Sequence, residues 1–183
     1  MLSARSTAEA LYYMELHLCS CGDAVPAGLD HTSGTTEDGT RVATYRAHCA
    51  NCSEAAVFEF EFVGGAPVPG GAIGGPEPSR IIDPGEFLWL SDRAASRVPV
   101  DLTGLTSEEM HVGRRIMKDA IALLEEVLKF IPEGADGVPS DAFFSDLGKT
   151  LDVTAPERFR RGDIEERLAG YRAGLADFPA PFS

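Results

Sequence analysis

Positive charge is scarce in this chain. Lys and Arg number 16 against 29 Asp and Glu in 183 residues, and only three of the 16 are lysine. The deficit is spread along the sequence: residues 1–63 hold 3 basic and 9 acidic side chains, and residues 80–183 hold 13 and 19. Displacing counterions from phosphates needs a positive field, so this balance argues against nucleic acid as a partner. The same charge repels anionic lipid, attracts a basic protein surface and favours solubility. Long apolar runs are missing too. None approaches the roughly 20 residues that cross a bilayer, which excludes a membrane-spanning helix. Met1 to Glu15 lack a basic segment followed by an apolar stretch, so the expectation is a cytoplasmic protein in a reducing compartment. Asn51 is the only asparagine and Arg outnumbers Lys by 13 to 3, a bias expected of a GC-rich bacterial genome.

Motifs of chemistry are absent as well. There is no G-x-x-x-x-G-K-[ST] loop, no G-x-S-x-G elbow and no H-E-x-x-H. Gly64–Gly75 is glycine-rich but lacks the first of these patterns, and reads as linker rather than phosphate cradle. His111 beside Glu108 and Glu109 reads as a surface histidine. With no acid, base and nucleophile together, a non-enzymatic protein is expected. No internal repeat and no long heptad pattern occurs.

What remains is a change of period along the chain. Tyr12, Met14, Leu16 and Leu18 alternate with Glu15 and His17, and Ala56, Phe58, Phe60 and Phe62 alternate with Glu59 and Glu61. Period two predicts half-buried antiparallel strands, with Thr40–His48 as a weaker third. Asp30–Thr40 is polar and turn-rich. Gly64–Ser79 holds six Gly and four Pro in sixteen residues and predicts a linker or surface loop. From Arg80 the period is helical. Asp83-Pro84-Gly85-Glu86 and Thr106-Ser107-Glu108-Glu109 each predict a capped helix start. The first helix is expected to about Ser96 and the second to about Phe130, with Glu125 and Lys129 paired on its outer side. A third is expected from Ser140 or Asp141 to about Lys149, and a fourth from Asp163. The predicted fold class is α+β: an antiparallel β module over 1–63, a Gly/Pro segment over 64–79, and an all-α part of about four helices over 80–183.

Four cysteines occur, in two pairs: Cys19 and Cys21, then Cys49 and Cys52. Each pair is expected at a strand end, where a tight turn aims two sulfurs at one point. Four thiolates make the closed tetrahedral site of structural Zn2+, and in so small a module metal binding would supply on the order of 10 kcal/mol of folding free energy. The C-x-C pair is narrower than the C-x-x-C of the strongest pattern. Disulfides and redox-active thiols stay open as alternatives. His17 and His48 lie close enough in sequence to replace a thiolate, and read instead as strand histidines.

On these cysteines, residues 10–63 resemble a zinc-ribbon module. The order C-x-C, long gap, C-x-x-C is also similar to the redox switch of the heat-shock chaperones activated by oxidation, which implies zinc loss and disulfide formation at Cys19, Cys21, Cys49 and Cys52. In that family the motif ends a larger protein, whereas here it opens the chain. The helical part contains Pro78-Ser79-Arg80-Ile81-Ile82-Asp83-Pro84-Gly85-Glu86-Phe87-Leu88-Trp89-Leu90, Glu126-Val127-Leu128-Lys129-Phe130-Ile131-Pro132 and Pro156-Glu157-Arg158-Phe159-Arg160-Arg161. That texture resembles small acidic bacterial immunity proteins kept beside toxins. The resemblance implies a protein-binding protein whose acidic surface occludes the basic cleft of a toxin. The alternatives are a zinc-ribbon adaptor in nucleic-acid processes and the redox switch. Arg114, Arg115 and Lys118, and Arg158, Arg160 and Arg161, form basic clusters read as internal ion pairs or a solvated face. Phe87, Trp89, Phe143 and Phe144 read mostly as packing.

Overall fold

A computed structural model describes residues 1–21, 26–63 and 72–179. The chain divides into two compact units, Met1–Ile82 and Asp83–Ser183.

The first unit is a mixed four-stranded sheet with one helix. β1 (Leu2–Ala4), β2 (Pro26–Thr35), β3 (Arg41–Cys49) and β4 (Ala55–Phe62) stand in the order β1-β4-β3-β2. β2, β3 and β4 are antiparallel neighbours, whereas β1 pairs in parallel with β4, Ser3 opposite Glu61. The expected all-antiparallel module is corrected on that point.

A second correction concerns residues 12–18, expected as a strand and found in helix α1 (Thr7–His17). Ser6 caps α1 by accepting from the Glu9 amide at 3.1 Å. Ala10, Met14 and Leu18, spaced by four, are its buried positions at 0–3% exposure. Leu11, Tyr12, Tyr13 and Leu16 spread apolar character around the helix, so alternation fitted as well as the helical period. Asp30–Thr40, expected as loop, supplies half of β2. It is an edge strand exposed throughout 31–35, so nothing selects apolar residues at alternate positions.

The core of this unit is aromatic. Phe60, fully buried, has Tyr13, Tyr45 and Phe58 around it with ring centroids 5.9–6.4 Å away. Burying one such ring contributes about 2–3 kcal/mol. Glu9 is also fully buried and is matched by Arg5. The Arg5 amide reaches Oε2 at 2.5 Å, and Nε and Nη2 reach Oε1 at 2.8 Å. The guanidinium also donates to the Glu77 carbonyl, and the Ser6 hydroxyl to the Ile73 carbonyl. The described end of the Gly/Pro segment is therefore fastened to residues 5 and 6. Residues 64–71 of that segment, and Gly22 after the first cysteine pair, lie outside the described residues.

The second unit holds α2 (Pro84–Ser96), α3 (Ser107–Leu128), α4 (Asp146–Thr154) and α5 (Arg161–Ala176), with single 3-10 turns at Ser140–Ala142 and Pro156–Phe159. Both predicted capping boxes form, Asp83 with Glu86 and Thr106 with Glu109. Together with α1 this makes five helices among the described residues rather than about four. The third helix begins at Asp146, because Ser145 rather than Ser140 caps it, accepting from the Gly148 amide at 2.8 Å. Ser91 on α2 donates to the Ala120 carbonyl of α3 at 2.8 Å, a contact two small residues permit. Arg114 donates to the carbonyls of Leu175 and Phe178, both at 3.3 Å, and so caps the end of α5. Lys129 pairs with Glu126 at 2.5 Å, and Glu125 with Arg172 at 2.8 Å, in place of the expected Glu125–Lys129 pair. No described helix is long and apolar enough to cross a membrane.

Candidate metal centre

The four cysteines converge in the first unit. Their sulfurs all lie within 4.8 Å of one another, and none of the four is in a disulfide. Two different local structures bring them there. Cys19 and Cys21 follow the end of α1, not a strand as expected, and buried Leu18 pins the chain just before them. Cys49 ends β3 and is fully buried, while Cys52 lies in the turn to β4.

That turn is closed by backbone. The Cys49 amide donates to the Glu54 carbonyl and the Ser53 amide to the Cys49 carbonyl, both at 2.8 Å. Closing it puts Ser53 at φ 61°, in the left-handed region. The Glu54 carboxylate in turn accepts from the Ser20 amide at 3.4 Å, a long contact between the two cysteine turns.

The donor set fits a metal ion. Cys19 and Cys21 sulfurs are 3.1 Å apart, and those of Cys21 and Cys49 are 3.8 Å apart. A disulfide would need about 2.05 Å. A tetrahedron of four thiolates at about 2.3 Å from a central ion has edges of about 3.8 Å. The measured spacings depart from that figure by about 1 Å at most, within reach of side-chain rotation. Without an ion, Cys19 and Cys52 hold their protons more firmly than ordinary thiols. Cys19 is pushed up to about 12, first by its hydrogen bond with Cys21. Cys52 is also raised: the backbone hydrogen bond at Glu54 pulls it down, and partial desolvation and the hydrogen bonds with Cys49 and Cys21 outweigh that and the lowering by Cys19. A cation among the sulfurs reverses this balance and favours thiolates.

Neither histidine joins the cluster. The His17 ring stacks on Tyr13 at 4.1 Å, with Nδ1 against the Tyr13 carbonyl at 2.8 Å. The His48 ring lies against Gly28, where an added Cβ would come within 2.7 Å of it. Ser53 and Glu54 went unrecognised in the sequence. Ser53 occupies the position after a C-x-x-C pair where a turn requires positive φ, which was the one signal that could have found it.

The remaining candidates are spread through the second unit. Arg158 and Arg167 share Asp92, and Arg161 reaches the Ala135 and Pro132 carbonyls at 3.4 and 3.5 Å. Phe87 and Phe143 are buried, Phe144 is 45% exposed, and Trp89 has the Arg93 guanidinium 5.3 Å from its ring. His111 is exposed. Comparisons with protein-family models, curated proteins and solved structures give no match for this chain.

Proposed function

We propose that the chain is a non-enzymatic protein-binding protein whose N-terminal unit is organised by one structural zinc ion at Cys19, Cys21, Cys49 and Cys52. The convergence of the four sulfurs within 4.8 Å supports this reading. Four soft thiolates suit Zn2+ over Mg2+ or Ca2+, which take oxygen ligands. Four protein ligands also fill a tetrahedral ion and leave no open position for a reacting water, which favours a structural role over hydrolysis.

The binding half of the proposal rests on charge. A formal net charge of −13 steers a basic partner towards the chain. The concrete version is an immunity protein that neutralises a bacterial toxin by covering its cleft, within a cytoplasmic host. Two measurements test the two halves separately. Native mass spectrometry of purified protein is expected to show one zinc per chain, and a metal-free, folded product would refute the site. Affinity capture from the host is expected to yield one basic protein whose association slows as salt rises. Capture of nucleic acid instead would favour the adaptor reading.

A redox switch is a second reading, favoured by one observation: Cys21 and Cys52 are exposed although they belong to the cluster. Peroxide would take two electrons from a pair of thiolates, leaving a disulfide and water and releasing the ion. Unchanged zinc content after mild peroxide would dismiss it.

A further inference from the structure

At the opposite end of β3 from Cys49, the first unit carries a second concave site. α1 lies over β4, with Tyr13 against Phe58 and Phe60, and the β2 side of the same sheet face is left open. The opening is a cavity of about 360 Å3 between the first turn of α1 and strands β2 and β3. Sheet register builds it in rows. Thr35 stands opposite Arg41 and Arg41 opposite Phe62; Ser33 opposite Ala43; His31 opposite Tyr45. Ala43, small and 5% exposed, lies between the larger rows. The distance along β3 from Arg41 to Cys49 is about 27 Å at strand rise, so this is not the metal site.

Its chemistry is one-sided. Thr7, Ser33 and Thr35 present hydroxyls, Arg41 a guanidinium, and His31 and Tyr45 a ring pair 5.7 Å apart. No carboxylate lines the cavity. Arg41 makes no ion pair among the described residues; its guanidinium lies 5.3 Å from the centre of the Phe62 ring. Tyr45 is the more telling group. The residue is 95% buried (5% exposed) and lines the cavity, yet its hydroxyl has no hydrogen-bond partner among the described residues. That hydroxyl is not sealed off from solvent, since the unpartnered buried side-chain polar atom among the described residues is Arg114 Nε; it opens on the cavity, where an acceptor on a ligand would replace water. Burial raises the Tyr45 hydroxyl above its ordinary range and the Arg41 charge opposes this, so the phenol stays a donor at neutral pH beside a fixed cation.

We infer that this cavity binds a small oxyanion-bearing molecule, its carboxylate or phosphate held by Arg41, the Tyr45 hydroxyl and the hydroxyls of Ser33, Thr35 and Thr7, and its apolar body against the His31 and Phe62 rings. The lining offers one guanidinium, several hydroxyls that can turn to donate, and no carboxylate, so the charge it complements is negative. The volume lies in the range of small-molecule sites and exceeds that of a bare inorganic ion. In an acidic protein, an arginine without a carboxylate partner, set in a cavity beside a phenol whose hydroxyl opens on it, is the combination that points to an anionic ligand. The inference is independent of the metal and of any protein partner.

Titration calorimetry and ligand-observed NMR on the full chain as purified test it. Benzoate and phenyl phosphate are the probes, with benzyl alcohol as the neutral control. Saturable binding of at least one anion is expected, with benzyl alcohol at least tenfold weaker. The preferred probe distinguishes a carboxylate from a phosphate ligand. Tyr45→Phe removes only the oxygen and Arg41→Gln only the charge. Each is expected to weaken anion binding at least tenfold while leaving the circular dichroism spectrum unchanged. Absence of saturable binding by both anions overturns the inference, as does equal binding of benzyl alcohol or undiminished binding in both variants. Should Arg41→Gln disturb folding, Tyr45→Phe alone decides.

Discussion

The carboxylate of Asp83 rests against the Cα of Gly148. A Cβ added to Gly148 would fall 2.5 Å from Oδ1 and closer still to Oδ2. Asp83 is fully buried, and its oxygens accept from the amides of Glu86 (2.9 Å), Phe144 (3.0 Å) and Ser145 (2.7 Å). One carboxylate thus caps α2 and holds the segment that leads into α4. Glycine inside an exposed helix ordinarily gains about 0.5–1 kcal/mol on replacement by alanine. Here the sign should invert. Gly148→Ala is expected to destabilise the helical unit by about 1–3 kcal/mol, the cost of forcing atoms into a filled site. Urea denaturation followed through Trp89, the only tryptophan, reads this unit. An alanine variant as stable as the parent would contradict the contact.

Glu86 shares that capping box and adds a pH dependence. Burial pushes its carboxyl up to about 7 from 4.5; the Asp83 amide hydrogen bond opposes the shift and the Asp83 charge adds to it. The folded chain therefore holds a proton on Glu86 between those pH values that the unfolded chain has released. The associated stability is fully present below pH 4.5 and is lost as pH rises through 7. Glu86→Gln stays neutral and still offers an oxygen to the Asp83 amide. The difference in stability between Glu86→Gln and the parent is expected to grow in favour of the variant from pH 5 to pH 8. A constant difference across that window would show that the carboxyl ionises normally.

In the first unit, Glu9 and Arg5 offer a test of a buried ion pair. Glu9 is fully buried, and the Arg5 side chain is 10% exposed. Removing one partner strands the other, at a cost of about 3 kcal/mol or more. Glu9→Ala is therefore expected to lower amide-exchange protection across β1 and β4, and Arg5→Met with Glu9→Met to lower it less than Glu9→Ala alone. If the double variant proved the worse, the pair would be supplying net stability of its own.

The contrast between Asp83 and α1 shows which parts of this fold are readable in sequence. Asp83-Pro84-Gly85-Glu86 and Thr106-Ser107-Glu108-Glu109 state their structure locally, since cap and capped amide are three residues apart, and both helices begin where expected. The cysteines were legible for a different reason: thiols are rare and their chemistry is narrow. α1 was not legible, because Leu11-Tyr12-Tyr13-Met14-Glu15-Leu16 is apolar on nearly every side and only its burial against the sheet picks out Ala10, Met14 and Leu18. β2 was not legible because its strand character comes from backbone pairing with β3 and not from its polar side chains. The parallel pairing of β1 with β4, and the meeting of Asp83 with Gly148, join residues about 60 positions apart and have no local signature. The Tyr45 cavity belongs with these, since its rows exist only once the strands are in register.

Ser53 carries the last prediction, because it sets what the second cysteine turn costs to form. Its φ of 61° lies where a side chain meets the following carbonyl, at about 1 kcal/mol or more for an L-residue. Glycine meets no such penalty, although it gives up some entropy from the unfolded chain. Ser53 is exposed, so replacing it leaves the core untouched. The strain falls only on the form in which Cys49 and Cys52 are closed by the 2.8 Å bonds from the Cys49 and Ser53 amides, which is the form that presents both sulfurs together. Relieving it should therefore appear in metal affinity. Ser53→Gly is expected to tighten zinc binding by about threefold to tenfold in competition with a chelator of known affinity, and Ser53→Val, β-branched and worse at positive φ, to weaken it. The ranking Gly, Ser, Val is the diagnostic. If all three variants held zinc equally, the turn would not be formed in the metal-bound protein as it is here, and the two cysteine pairs would have to meet by another route.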